Sequence, residues 1–65
     1  MNEENIKYVI SFDRTDLKLI GNALCAGTHE SLVDYEELKS FLLKFSKEER
    51  DIISEGYGND LEEYL

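Results

Sequence analysis

Cys25 and His29 stand four residues apart with Glu30 following, and no other part of the chain comes closer to a reactive constellation. A thiol beside an imidazole can act as an activated nucleophile, and thiol, imidazole and carboxylate together can ligate zinc. Both chemistries need more than is present. A zinc site takes three or four ligands at recognisable spacing and a cysteine enzyme needs a third group to orient its base, but the chain holds one Cys and one His. Gly27 lies between them and is expected to end the helix that carries Cys25, which would break the i,i+4 geometry. Cys25 then reads as a small buried apolar residue and His29 as a loop residue. Gly56-Tyr57-Gly58-Asn59 contains a Gly-x-Gly, without the preceding strand, third glycine and lysine of a phosphate loop, and Glu55 and Asp60 beside it repel phosphate. The alternating oxygen ligands of a calcium loop are missing around the same turn. No catalytic, metal or cofactor set is expected.

The carboxylates are the remaining signal. Fifteen acids face seven bases for a net charge of −8, and ten of the acids lie between Asp34 and Leu65. Such a surface repels nucleic-acid phosphate and anionic lipid, so direct binding to either is disfavoured and basic protein surfaces become the natural partners. A DNA-binding reading of the two helices after Val33 fails on charge, because Glu48, Glu49, Asp51 and Glu55 outnumber Lys47 and Arg50 on the would-be recognition helix. Part of the acidity has local duties: Asp34, Glu37, Glu49, Asp60 and Glu63 sit where carboxylates cap or start helices, and the acidic faces aid solubility. The sharper expectation is that Glu36, Glu48, Glu49, Asp51, Glu55, Glu62 and Glu63 present carboxylates to a basic groove in place of phosphates. In size and charge alone the chain resembles small, acidic, cysteine-poor inhibitors encoded by phages, several of which disable nucleases and CRISPR effectors. That resemblance implies a non-enzymatic inhibitor acting as a nucleic-acid mimic on a nuclease or other nucleic-acid-binding protein. The alternative is a small self-associating structural or regulatory domain whose acids only solvate it.

Length bounds these readings. At 65 residues the chain is expected to be one domain, spanning 1–65, near the size where a single core is marginal and a deep substrate pocket is not expected. An apolar content of 42% with seven aromatics favours folding over disorder. A single cysteine excludes an intrachain disulfide framework, and a reducing cytoplasm fits best. No apolar run approaches the roughly 18 residues of a membrane span, and the acidic Met-Asn-Glu-Glu-Asn start is unlike a signal peptide.

The elements that must position these groups are organised around Val33–Gly56. Asp34 with Glu37, and Ser46 with Glu49, each show capping-box spacing. Behind the first cap Tyr35, Leu38, Phe41, Leu42 and Phe45 recur at helical spacing; behind the second, over Lys47–Glu55, come Ile52 and Ile53, with Gly56 as a left-handed C-cap. Upstream, Asp13 is expected to cap a helix over Arg14–Ala26, with Asp16 in its first turn, Leu17, Ile20, Ala23 and Leu24 on its buried stripe, and Gly21 as a site of close backbone packing. Asp60 and Glu63 repeat the capping spacing before a last helical turn. In Ile6–Phe12 the residues Ile6, Tyr8, Ile10 and Phe12 alternate with Lys7, Val9 and Ser11, the best strand pattern in the chain. Thr28–Val33 reads either as loop or as a short second strand beside it.

The fold class expected is therefore α+β: an N-terminal strand, with or without a short partner, packed on three helices. The expected core is Ile10, Phe12, Leu17, Ile20, Leu24, Leu38, Phe41, Leu42, Phe45, Ile52 and Ile53. Because a lone strand leaves one edge open, Lys7, Val9 and Ser11 are expected to face outward at a self-association surface, giving a homodimer or a pairing with a partner's edge strand.

Overall fold

The structure is a computed structural model that describes residues 7–65. Three helices follow one another: α1 (Arg14–His29), α2 (Tyr35–Leu42) and α3 (Lys47–Tyr57), then a single 3-10 turn at Leu61–Tyr64. Each helix starts on a complete capping box. Asp13 accepts from the Asp16 amide at 2.8 Å, Asp34 from Glu37 at 2.8 Å and Ser46 from Glu49 at 3.2 Å, while the acidic side chain at each third position accepts in return from the cap's own amide. Each cap satisfies orphan amide donors that would otherwise cost about 0.5–2 kcal/mol.

The fold is anchored where α1 crosses α3. Gly21 on α1 lies against the backbone of Ile53, Gly56 and Tyr57, and Gly56 on α3 lies against the backbone of Lys18, so neither position has room for a Cβ. This reciprocal pair of glycines lets the two backbones touch. Leu17, Leu38, Leu42, Ile53, Tyr57 and Leu61 are drawn into the buried core from all four elements, and Ile20, Leu24, Cys25, Val33, Phe45, Ile52 and Tyr64 pack around it. At about 1.5–3 kcal/mol for each fully buried large side chain, this small cluster is the main favourable term.

Several expectations require correction. The fold is not α+β: among the described residues there is no strand and no sheet. Lys7–Phe12 is an extended arm, and Ile6 lies outside the described residues. The second-strand reading of Thr28–Val33 fails for a physical reason. Thr28 and His29 belong to α1, and the amides of Glu30, Ser31, Leu32 and Val33 are bound to the carbonyls of Ala26, Thr28 and Gly27 at 2.8–3.2 Å, so that segment has no donors left for a ladder. Gly27 does not end α1. Its missing Cβ admits Val33, whose Cγ2 would stand 3.0 Å away, and Ser31 takes the left-handed position at φ 61°. Gly56 likewise lies inside α3, and the left-handed cap is Gly58 at φ 96°. Ile10 and Phe12 are exposed, whereas Tyr57 and Leu61 complete the core. No helix among the described residues is long and apolar enough to cross a membrane.

Candidate interaction surface

Residues 48, 51 and 55 share one face of α3, since steps of three and four positions return to the same side of a helix. Glu48, Asp51 and Glu55 are all exposed there. At the C-terminal end of that face a shallow depression of about 410 Å³ is lined by Asp51, Ser54, Glu55, Gly58, Asn59 and Asp60. Asp51, Glu55 and Asp60 thus line one depression at a helix end that already carries partial negative charge from its terminal carbonyls, and α3 has no basic residue in its last turn. The sequence reading includes Asp51 and Glu55 but places Asp60 only as a cap. It does that work as well, accepting from the Glu62 amide at 3.0 Å. Helical spacing aligns Asp51 with Glu55, whereas Asp60 reaches the same depression through the turn after Gly58, which spacing does not describe.

The seven acids expected to form one surface divide into three groups. Glu49 is spent on the cap, accepting from the Ser46 amide at 2.7 Å. Glu62 is held by Arg50 at 2.8 Å, and Arg50 also donates to the Phe45 carbonyl at 2.7 Å, so this half-buried pair joins the start of α3 to the last turn. Both are structural. Asp51 pairs with Lys47 at 3.2 Å, and Glu55 takes two bonds from Arg14 at 2.7 and 2.8 Å, with Lys18 at 3.9 Å. These are exposed pairs worth about 0–1 kcal/mol each, so a partner's cation can exchange with them. Glu36, Glu48 and Glu63 are exposed and make no ion pair among the described residues, but they lie on α2, the start of α3 and the 3-10 turn respectively. Glu36 lines a different depression, with Glu37, Ser40, Phe41 and Lys44.

The self-association residues Lys7, Val9 and Ser11 are exposed on the extended arm, and Val9 is 101% exposed. Tyr8, Ile10 and Phe12, on the alternate side, line a groove with Phe41 and Phe45, and Phe12 meets Phe45 at a ring separation of 6.0 Å. The arm makes no backbone hydrogen bond among the described residues before Asp13.

Because α1 continues to His29, Cys25 and His29 do share a helical face, contrary to the sequence expectation. They line a small cavity of about 330 Å³ with Thr28, Tyr35, Tyr57, Asn59 and Tyr64. The Thr28 and Tyr57 hydroxyls bond each other at 2.8 Å, the Thr28 hydroxyl also reaches the Leu24 carbonyl at 3.0 Å, and Tyr64 stacks on Tyr35 at 5.2 Å. Loss of solvent, the neighbouring Tyr57 and Tyr35 phenols and Glu63 hold the Tyr64 hydroxyl above its ordinary pKa. No group of three His, Cys, Asp or Glu side chains among the described residues could hold a metal ion. Compared with protein-family models, curated proteins and solved structures, the chain matches none.

Proposed function

We propose that the protein is a non-enzymatic protein-binding module that engages a basic protein surface, acting as an acidic inhibitor at a groove that would otherwise hold nucleic-acid phosphate. The observation that carries this reading is the convergence of Asp51, Glu55 and Asp60 in one depression at the C-terminal end of α3. A partner's Arg or Lys entering it meets three carboxylates and the negative end of the helix dipole, and can take over Glu55 from Arg14 or Asp51 from Lys47. Glu48 extends the charge one turn toward the start of α3. The proposed binding face is therefore narrower than the seven acids of the sequence reading and excludes Glu49 and Glu62.

The test is capture from a cell lysate with identification by mass spectrometry, repeated with the variant Glu48→Lys, Asp51→Lys, Asp60→Lys. The expected partner has a basic groove, its capture weakens as salt rises, and the variant loses it while keeping its helical circular dichroism. Capture that ignores both salt and charge reversal would mean that the acids only solvate the domain. A single reversal at Glu48, Asp51 or Asp60 is expected to weaken binding about tenfold, corresponding to one charge pair of about 1.4 kcal/mol.

A further inference from the structure

The groove between the N-terminal arm and the helical body has a volume of about 750 Å³, and the proposed acidic face does not use it. Tyr8, Ile10 and Phe12 line it from the arm, Phe41 and Phe45 from α2 and the turn after it. Tyr8 is 79% and Ile10 66% exposed although both face this groove, and Val9 beside them is fully exposed. With Phe12, 41% exposed, Tyr8 and Ile10 leave aromatic and aliphatic surface in water along the groove, the kind of exposed apolar patch that marks a contact surface. The charged residues lining the same groove are Lys7, Lys44 and Glu49.

We infer that this groove is the contact between two copies of the chain, packed face to face about a two-fold axis. The choice of a second copy rests on charge. Two molecules of net charge −8 repel, and repulsion is least when they approach through this groove, whose charged lining among the described residues is two of the seven basic residues and one acid. A two-fold contact also requires a self-complementary patch, and Lys44 of one copy can face Oε2 of Glu49 of the other and the reverse, since the Ser46 amide takes only Oε1. The contact is made by side chains packing into an aromatic groove, with no strand pairing.

Self-association and capture of a basic partner respond to salt in opposite directions, so either can fail without the other. Sedimentation equilibrium of the full chain over a range of concentrations is the test. The weight-average mass is expected to rise toward twice the chain mass, and the dissociation constant to fall several-fold as salt is raised and the like-charged bodies are screened. Ile10→Glu, at an exposed position, should abolish the dimer while helical circular dichroism stays as in the parent and thermal unfolding matches that of the parent diluted to monomer; Lys44→Glu should weaken it at low salt and less at high salt. A monomer at every concentration and salt level overturns the inference, as does a dimer that Ile10→Glu leaves intact. A monomer whose Ile10→Glu variant loses capture of another protein also overturns it, and assigns the groove to that protein instead.

Discussion

At the scale of single residues the molecule places its polar groups economically, and two positions turn that into measurable consequences. Tyr64 sits against Tyr57 and Tyr35, and its raised pKa means that the folded chain holds that proton more tightly than the unfolded chain does. A phenol shifted upward contributes stability that is intact below its unfolded pKa of about 10 and is lost as pH rises through the folded value. Stability is therefore expected to fall as pH rises above about 10 and to fall less in Tyr64→Phe, as measured by urea unfolding on either side of that pH; equal slopes would remove Tyr64 from the account. Cys25 is half-buried beside the core, so Cys25→Ala is expected to cost about 1 kcal/mol and to leave capture of a partner unchanged. Loss of capture would place Cys25 in the binding surface.

At the scale of the elements, the crossing of α1 and α3 decides whether the chain folds. A methyl at Gly21 collides with the Ile53 carbonyl oxygen and comes within 2.7 Å of the Tyr57 nitrogen; one at Gly56 collides with the Lys18 carbonyl. Both obstacles are backbone and cannot rotate away, so Gly21→Ala and Gly56→Ala must push the helices apart. Each is expected to cost about 3 kcal/mol or more, against a total of only ~3–10 kcal/mol for a chain of this length. Loss of cooperative thermal unfolding in either variant checks this, with Gly58→Ala, where nothing lies within 4 Å, as a milder comparison costing ~1 kcal/mol for its left-handed φ. The crossing was half legible in the sequence. Gly21 interrupts an otherwise good helix and so asks for a reason, whereas Gly56 reads as a cap in the sequence because Gly58, two positions on, competes for the same role. The helix starts were legible throughout, since Asp13, Asp34 and Ser46 act within four residues of themselves. The arm was not. Its alternation does put Tyr8, Ile10 and Phe12 on one side, but a strand exists only with a partner ladder, and the amides after Thr28 are consumed in ending α1. The acidic site was partly legible for the same reason: helical spacing aligns Asp51 with Glu55, while Asp60 joins them only through a turn that spacing does not describe.

At the scale of the whole molecule, charge and size act against each other. The principal extents are 39 × 27 × 19 Å, so at ~0.01 M salt, where screening extends about 30 Å, nearly every charge feels every other; at ~0.1 M, with about 10 Å, only neighbours interact. Screening removes the repulsion among fifteen acids before it removes the close pairs. Of those pairs, Arg50–Glu62 is the best protected, with side chains 17% and 28% exposed, while Arg14–Glu55 and Lys47–Asp51 stand in solvent and contribute little at any salt level. The unfolded chain spreads the same charge over a larger volume and gains less from screening. Stability is accordingly expected to rise as salt goes from ~0.01 to ~0.1 M and then to level off, read as an increase in the urea midpoint with unchanged slope. The Ile10→Glu variant separates this intramolecular effect from dimer formation, because a monomer that still gains stability does so through its own charges. A midpoint that falls with added salt would show that local ion pairs outweigh the net charge, and Arg14→Met, which removes the exposed pair with Glu55 that salt can screen, would then be expected to reduce the salt response.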